Sequence, residues 1–122
     1  MAVKHVNQRQ VVWVSWKFPD QNGMLLHPAI VVSDSKLQDD EGMFYAVLVS
    51  SADIYSEYTV RLTNEDLKGP DKLDHDSYVV THFMTYFELR DIDKAMNAFV
   101  TEEKFEEIQN KIIKSIMALD VE

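Results

Sequence analysis

The segments of this sequence that could form a hydrophobic core are short, and only the last of them has helical spacing. Runs rich in β-branched and aromatic residues occur at 10–16, 28–33, 43–50 and 77–89, and this composition favours strands over helices. Residues 58–63 alternate between apolar and polar side chains, as in a half-buried strand. Turn-forming or charged stretches separate the runs at 19–23, 38–42, 68–76 and 91–94. The chain is therefore predicted to form an antiparallel, mostly β fold.

One amphipathic helix is predicted at the C-terminal end of the sequence. Thr101 is a suitable N-cap, and the glutamates at 102 and 103 favour the positive end of the helix dipole. Apolar residues then recur on one helical face, at Phe105, Ile108, Ile112, Ile116 and Leu119. Five or six strands followed by one helix predict a mostly β (α+β) fold, a small SH3-like antiparallel barrel with the C-terminal α-helix packed across it.

The length and composition narrow the class of protein. The 122 residues suit a single domain over 1–122, and the absence of cysteine excludes disulfides and thiolate metal sites. The four histidines lack the close spacing of metal ligands, and no glycine pattern of a cofactor-binding loop occurs. No apolar run approaches the roughly 18 residues of a membrane span. We therefore expect a cytoplasmic protein without metal, cofactor or membrane attachment.

The charge is unevenly distributed along the chain. The formal net charge is −9, yet residues 1–33 carry three basic residues and one acidic residue, which gives +2. Residues 34–76 carry eleven acidic and four basic residues, which gives −7. A uniformly acidic surface would repel nucleic acid, because such binding depends on cations that neutralise phosphates. The N-terminal third could still present a basic patch.

Several segments resemble the MazF/PemK (Kid-like) toxins of type II toxin–antitoxin systems. These are QVVWVSW at 10–16, HPAIVVSD at 27–34, a strand ending VSS at 49–51, YTVRLTNEDL at 58–67 and FVTEEKFEEI at 99–108. The resemblance covers most of the chain in order. It implies a homodimeric SH3-like barrel, a metal-independent endoribonuclease that cleaves single-stranded mRNA at specific sequences, and an antitoxin protein as partner. The gyrase-poisoning CcdB toxins are similar in fold, so the fold alone does not choose the activity.

The resemblance also indicates where the site should lie. These toxins usually have an arginine directly before the proline of the second strand, where this chain has His27. Their third strand usually ends in Thr-Ser, and here Ser50 and Ser51 keep a hydroxyl. Their late strand usually carries Asp-Gln followed by an arginine, whereas residues 82–87 contain neither an acid nor an arginine. The chain therefore diverges from the family at its catalytic positions.

Candidate catalytic residues follow from the chemistry of metal-independent RNA cleavage. The reaction needs a base for the 2′-hydroxyl, an acid for the leaving oxygen, and donors or positive charge for the phosphate. Histidine can serve as base or acid near neutral pH, so His27 and His82 are the candidate pair. Ser50 is the candidate for holding the phosphate. The alternative interpretation is that the histidines are ordinary surface and strand residues.

Candidate nucleic-acid-binding residues lie near the same strand ends. Trp16 and Phe18 flank Lys17 and could stack on single-stranded bases. Ser51 could contact a phosphate, and Arg61 could supply positive charge. The alternative interpretation is that the aromatic residues fill the barrel and the dimer interface.

Two functions remain open at this point. One is RNA cleavage, and the other is a non-catalytic toxin-fold protein that binds a protein partner, either an antitoxin or DNA gyrase, through an aromatic groove. The acidic balance and the missing arginine and aspartate favour the second function, whereas the coverage of the resemblance favours family membership. Both require that Trp16, His27 and Ser50 converge on one concave wall.

Overall fold

The computed structural model describes residues 3–16, 24–53 and 56–118. This part of the chain contains seven strands and two α-helices: β1 (Gln10–Trp16), β2 (Leu25–Val31), α1 (Ser35–Glu41), β3 (Met43–Ser50), β4 (Thr59–Leu62), β5 (Leu67–Lys68), β6 (Ser77–Glu88), β7 (Ile92–Val100) and α2 (Glu102–Met117). The strands form one sheet in the order β4-β6-β3-β2-β1-β7-β5, and every pairing is antiparallel.

Strand β1 lies inside the sheet because it is apolar on both faces. It pairs with β2 on one side and with β7 on the other. Val11 joins the core cluster that includes Phe105 and Ile108 of α2, while Val12 and Val14 join a second cluster on the opposite face. A strand with two buried faces belongs in the middle of a layered fold.

The sheet curls on itself, as expected for a small barrel. Trp16 of β1 packs against Phe87 of β6, with ring centroids 5.5 Å apart, although β2 and β3 separate these strands in the sheet. Helix α2 packs on β4 and β6, with Phe105 and Ile108 buried beneath it. The Thr101 hydroxyl accepts a hydrogen bond from the backbone N–H of Lys104, as an N-cap does. The predicted fold class, a mostly β SH3-like barrel with a C-terminal helix across it, is confirmed.

Two predicted loops are regular structure instead. Residues 38–42 belong largely to α1, which Asp34 caps at its start and Gly42, in a left-handed conformation, ends. Residues 91–94 include the start of β7. The second and third residues of this strand are charged and exposed, and Met96, Ala98 and Val100 further along it are buried. The prediction of five or six strands was therefore too low.

A bulge bends the long strand β6. Val47 of β3 pairs with Met84, but the next residue, Leu48, pairs with Val80. Three residues of β6, Thr81 to Phe83, therefore have no partner on β3 at this point. Such an insertion increases the local bend and twist of a strand, which lets the second half of β6 turn over the core toward Trp16.

Helix α1 holds the N-terminal segment through one buried side chain. Gln38 is 6% exposed; its Oε1 accepts from the Val6 N–H at 3.1 Å, and its Nε2 donates to the Val6 carbonyl at 2.9 Å. Val6 is fully buried in the core cluster that contains Val12 and Phe44. The amide of Gln38 thus gives Val6 the same two hydrogen bonds that a neighbouring strand would give it.

We expect Gln38→Ala to lower the free energy of unfolding by about 2 kcal/mol, because it leaves the buried donor and acceptor of Val6 without partners. Urea unfolding followed by circular dichroism measures this loss. The control is Gln109→Ala on the exposed face of α2, for which we expect a change within about 0.5 kcal/mol. Equal unfolding midpoints for the two variants would contradict the proposed stabilising role of the hydrogen bonds between Gln38 and Val6.

Candidate functional site

Four polar side chains from four neighbouring strands lie near one end of the sheet, and three of them are paired in register. Ser50 of β3 pairs with Tyr78 of β6, and Tyr78 pairs with Arg61 of β4. On the other side, β2 and β3 pair from Ala29 with Leu48, so His27 is level with Ser50 when this register is continued by two residues. Residues that face each other in antiparallel strands project to the same face. We call this set, His27, Ser50, Tyr78 and Arg61, the polar row.

Trp16 lies at the same end of the sheet as the polar row. It pairs with Leu25, two residues before His27 on β2. Val14 is the partner of His27, and alternation along β1 puts Trp16 on the same face as Val14 and therefore as His27. The three residues expected to converge, Trp16, His27 and Ser50, therefore share one face and one end. The indole is only 6% exposed and packs on Phe87, so Trp16 is mainly a core residue. It also borders a cleft of about 680 Å³ together with Met24, Tyr86 and Arg90.

The structure does not bring His82 next to His27. His82 lies in the bulge of β6, four residues beyond Tyr78, which corresponds to roughly 13 Å along an extended strand. Its ring contacts Tyr58 at 4.6 Å and Phe83 at 4.7 Å between centroids. Burial lowers the pKa of His82 below its usual value, because desolvation disfavours the imidazolium. The position of the bulge explains the separation, and sequence spacing gave no sign of it.

The lowered pKa of His82 predicts a loss of stability on acidification. As the pH falls through about 6.5, the unfolded chain takes up the proton before the folded protein does, so protonation favours unfolding. The contribution of neutral His82 is thus fully present above this pH and declines below it. We expect His82→Gln to reduce the difference between urea midpoints at pH 7.5 and pH 5.5, whereas the exposed control His5→Gln leaves it unchanged. The same pH dependence in wild type and His82→Gln would disprove this assignment.

The positive charge in the polar row is partly balanced by an acid. A nitrogen of Arg61 lies 2.8 Å from Asp76 Oδ2, and both side chains are more than half exposed. The hydrogen bond to Asp76 and its charge raise the pKa of Arg61 above its ordinary value. The guanidinium is therefore held at the edge strand β4, within reach of solvent.

A cavity of about 310 Å³ opens on the face of the sheet opposite to the polar row and contains the other predicted serine. His27 and Ser51 border it together with Trp13, Asp74 and His75. We call it the Trp13 cavity. Trp13 is half-buried, and its Nε1–H points to Met96 Sδ at 3.2 Å.

Two predicted binding residues, Lys17 and Phe18, lie outside the described residues. Two residues that the sequence did not single out, Tyr78 and His75, border the site. Only the strand register could have identified Tyr78, because it is 28 positions from Ser50 in the sequence. Among the residues that the structure describes, no three histidine, aspartate or glutamate side chains are placed to share a metal ion, and neither helix is long and apolar enough to cross a membrane.

Solved structures similar to this fold include MazF proteins and an endoribonuclease. MazF from Deinococcus radiodurans has a TM-score of 0.70 and 19% identity, covering 96% of this chain and 100% of its own. An endoribonuclease from a Mycobacterial species has a TM-score of 0.73 and 14% identity, covering 98% and 97%. The MazE–MazF complex from D. radiodurans contributes a further match, with a TM-score of 0.71, 17% identity, and coverage of 96% and 100%. At these identities the likeness establishes the fold alone.

Comparison at the sequence level gives the family directly. No curated protein matches the chain significantly. A family model described as the PemK-like, MazF-like toxin of type II toxin–antitoxin systems matches residues 7–116. This match confirms the resemblance carried by the strand and helix segments, and the chain belongs to the PemK/MazF family of type II toxins.

Proposed function

We propose that this protein is the toxin of a toxin–antitoxin pair and that it cleaves single-stranded mRNA without a metal ion or cofactor. The observation that supports the proposal is the polar row, which combines an imidazole, hydroxyl groups and a guanidinium near one end of four neighbouring strands. The family position of His27, directly before Pro28, falls within this row. The similarity of the fold to an endoribonuclease supports the same activity.

The polar row supplies the groups that the reaction needs. His27 takes the proton of the 2′-hydroxyl, whose oxygen forms a bond to the adjacent phosphorus while the bond from phosphorus to O5′ breaks. The Tyr78 hydroxyl gives its proton to the departing O5′, and it is restored through solvent when His27 releases the proton that it took. The products are a 2′,3′-cyclic phosphate and a 5′-hydroxyl end. General acid–base catalysis of this kind contributes about 10²- to 10⁴-fold to a rate.

Ser50 and Arg61 stabilise the phosphate during the same step. In the free protein, the Ser50 Oγ donates a hydrogen bond to the Ala52 carbonyl and accepts one from the Ala52 N–H, both at 3.1 Å. On RNA binding the hydroxyl turns to a non-bridging phosphate oxygen. Arg61 adds positive charge where negative charge grows in the transition state. The Asp76 partner of Arg61 limits that charge in the free protein.

An antitoxin and a second copy of the chain are the proposed protein partners. A solved D. radiodurans MazF is bound to MazE, and by analogy an antitoxin would neutralise this chain in the cytoplasm. The homodimer is proposed from family membership.

The test is incubation of the purified protein with a single-stranded RNA in the presence of EDTA. The expected result is cleavage at a limited set of sequences, with 2′,3′-cyclic phosphate and 5′-hydroxyl ends identified by mass spectrometry. A double-stranded RNA of the same sequence is the control and should resist cleavage. Intact single-stranded RNA at high protein concentration would overturn the proposal.

The cleft beside Trp16 supports a second candidate function, the binding of a protein without nuclease activity. Its wall combines apolar groups with Arg90, and Met24 and Tyr86 are 59% and 60% exposed. Such a surface suits an extended peptide with an acidic residue. Growth arrest in cells with intact mRNA, lost in a Tyr86→Ala variant, would favour this function and point to a protein target such as DNA gyrase or to an antitoxin.

A further inference from the structure

We infer that the outer edge of β6, from Met84 to Glu88, binds an extended peptide of a partner protein as one more antiparallel strand. This inference rests on the protein-binding function proposed for the cleft beside Trp16, and it names the mode of recognition, which is pairing of main-chain groups. We call residues 84–88 of β6 the open edge.

The main-chain groups of alternate residues on the open edge point away from the sheet. Tyr86 pairs with Tyr45 of β3, and the Tyr45 carbonyl accepts a hydrogen bond from the Val32 N–H at 2.9 Å, so the main chain of Tyr45 faces β2. The pair of Tyr45 and Tyr86 is therefore one of the non-hydrogen-bonded pairs of the antiparallel ladder. The N–H and C=O of Tyr86 point outward, as do those of Met84 two residues earlier.

Glu88, at the end of the open edge, shows the same alternation. Its N–H donates to Asp91 Oδ2 at 2.8 Å instead of to β3. The side chain of Asp91 thus ends the edge. Between this end and the bulge, the outward N–H and C=O groups of Met84 and Tyr86 form a template for a further strand.

Strand β4 does not extend along the open edge. It pairs only with residues 77–80 of β6, and the chain before it leaves the edge at Tyr58, whose carbonyl accepts a hydrogen bond from the Thr81 hydroxyl at 2.6 Å. In the part of the chain that the structure describes, no hydrogen bond joins the outward main-chain groups of Met84 and Tyr86 to another element. A strand beside them would satisfy all four groups.

The open edge lacks the features that usually protect an exposed strand from pairing. Protected edges carry lysine, proline or a bulge. The sequence of residues 84–88 is MTYFE, without lysine or proline, and the bulge of β6 comes before it. Tyr86 is 60% exposed. Such an edge suits the addition of a strand from another chain.

The cleft of about 680 Å³ runs along the open edge. Three consecutive residues, Thr85, Tyr86 and Phe87, border it together with Trp16. Successive side chains of a strand point to opposite faces of the sheet, so a cleft that touches all three follows the edge and is not confined to one face. The cleft therefore gives an added strand a place beside β6.

The two walls of the cleft determine which side chains the peptide should carry. Peptide residues opposite Thr85 and Phe87 share their face, where Trp16 is packed against Phe87 at 5.5 Å between ring centroids. These positions favour apolar, β-branched side chains. The intervening positions lie beside Met84 and Tyr86 and accept polar side chains, so the expected segment alternates between apolar and polar residues.

The charge at the end of the cleft favours a peptide over RNA. Arg90 borders the cleft, is 80% exposed in its side chain, and lies 3.0 Å from Glu88. Asp91 borders the cleft as well. One cation beside two acids is too little to hold a polyphosphate chain, which needs several cations. It can still attract one acidic side chain at the end of a peptide whose affinity comes from main-chain pairing.

Hydrogen exchange at single amides tests the pairing directly. The probe is a fluorescein-labelled heptapeptide that alternates valine and threonine and ends in glutamate. By NMR, we expect the amide protons of Met84 and Tyr86 to exchange rapidly in the free protein and about 10-fold more slowly, or slower still, with saturating peptide. Slow exchange of both amides in the free protein would show that this chain or a second copy already covers the edge, and would refute the inference.

Methylation of the peptide main chain tests the register without changing the protein. Only the residues opposite Met84 and Tyr86, the threonines, direct their N–H groups toward β6. We expect N-methylation of the threonines to weaken binding, measured by fluorescence anisotropy, by about 10-fold or more, and N-methylation of the valines to have a much smaller effect. Equal affinity of the two methylated peptides would exclude strand addition.

A matched pair of variants tests the protein side of the same hydrogen bonds. Proline is tolerated where the N–H of an edge strand faces solvent, and the Met84 side chain borders a groove next to Ile112 and Ile113 of α2 instead of the cleft. We expect Met84→Pro to bind the peptide about 10-fold more weakly and Met84→Ala to stay within about threefold of wild type. Thermal unfolding verifies that both variants fold. Equal affinities of the two folded variants would contradict the assigned contact.

The outcomes also separate this inference from the proposed function. Growth arrest that requires the cleft, together with equal binding of the two methylated peptides, keeps the protein-binding function and removes strand addition. Slowed exchange of the Met84 and Tyr86 amides by a single-stranded oligonucleotide, but not by the peptide, would mean that the cleft holds RNA and would overturn the inference. Slowed exchange by the peptide in a protein that also cleaves RNA supports the inference and leaves the nuclease in place.

Discussion

Replacing His27 by alanine is expected to slow RNA cleavage by about 10²- to 10⁴-fold, the range for loss of a general base. The fold should be unaffected, because His27 is only partly buried near the start of β2, outside both core clusters. The measurement is kcat/KM for a single-stranded RNA, with thermal unfolding to verify the fold. His5→Ala, an exposed histidine in the N-terminal segment, is the matched control and should keep wild-type activity.

A second variant separates the two roles that His27 could have. His27→Arg supplies charge and hydrogen-bond donors but no base, since arginine stays protonated. If His27 acts as the base, His27→Arg stays as slow as His27→Ala. If His27 only stabilises the phosphate, His27→Arg recovers activity, and the assignment of a base to this residue is wrong.

The fold followed from the sequence wherever a segment was apolar in a regular pattern. Helix α2 was found because its N-cap, acidic first turn and apolar stripe agree. Helix α1 was missed because six of its seven residues are charged or polar and only Gln38 is buried, so there is no apolar stripe to detect. Strand β7 was missed because its first three residues include two exposed charges, Asp93 and Lys94.

The site was only partly predictable, because its geometry depends on the strand register. His27 and Ser50 were found through the family resemblance, and continuing the β2–β3 register two residues past its last pair brings them level with each other. The pairing with Tyr78 joins residues far apart in sequence, and no local pattern encodes it. His82 was predicted as the partner of His27 from the acid–base chemistry of histidine alone, and the three-residue bulge near Tyr58 in which it lies has no sequence signature. The position of a bulge is set by the fit of the curled sheet around its core.

The sequence also could not show whether Trp16 binds a ligand or packs in the core. An aromatic residue at a strand end can stack on a ligand or fill a core, and both interpretations agree with its neighbours in sequence. The contact with Phe87, three strands away in the curled sheet, shows that Trp16 packs in the core, and its binding of RNA stays a prediction. Trp13, three residues earlier and on the other face, is the more accessible of the two indoles.

The largest loss of stability is expected for Gly69→Ala, at the start of the loop that walls the Trp13 cavity. Gly69 has a φ of +107°, where side chains are strained, and a Cβ atom there would lie 2.3 Å from the Asn97 carbonyl oxygen. That oxygen belongs to the backbone of β7 and accepts a hydrogen bond from Asp71, so it cannot move without breaking the anchor of the loop. We expect the free energy of unfolding to fall by about 3 kcal/mol or more.

Gly42 provides a control that separates the two causes of this loss. Its φ is +71°, but a Cβ atom there would have no other atom within 4 Å. Gly42→Ala should therefore cost only the backbone strain, about 1 kcal/mol. Urea unfolding of both variants measures the difference, which reports the close approach of Gly69 to β7. Similar losses for the two variants would show that the loop can shift away from Asn97.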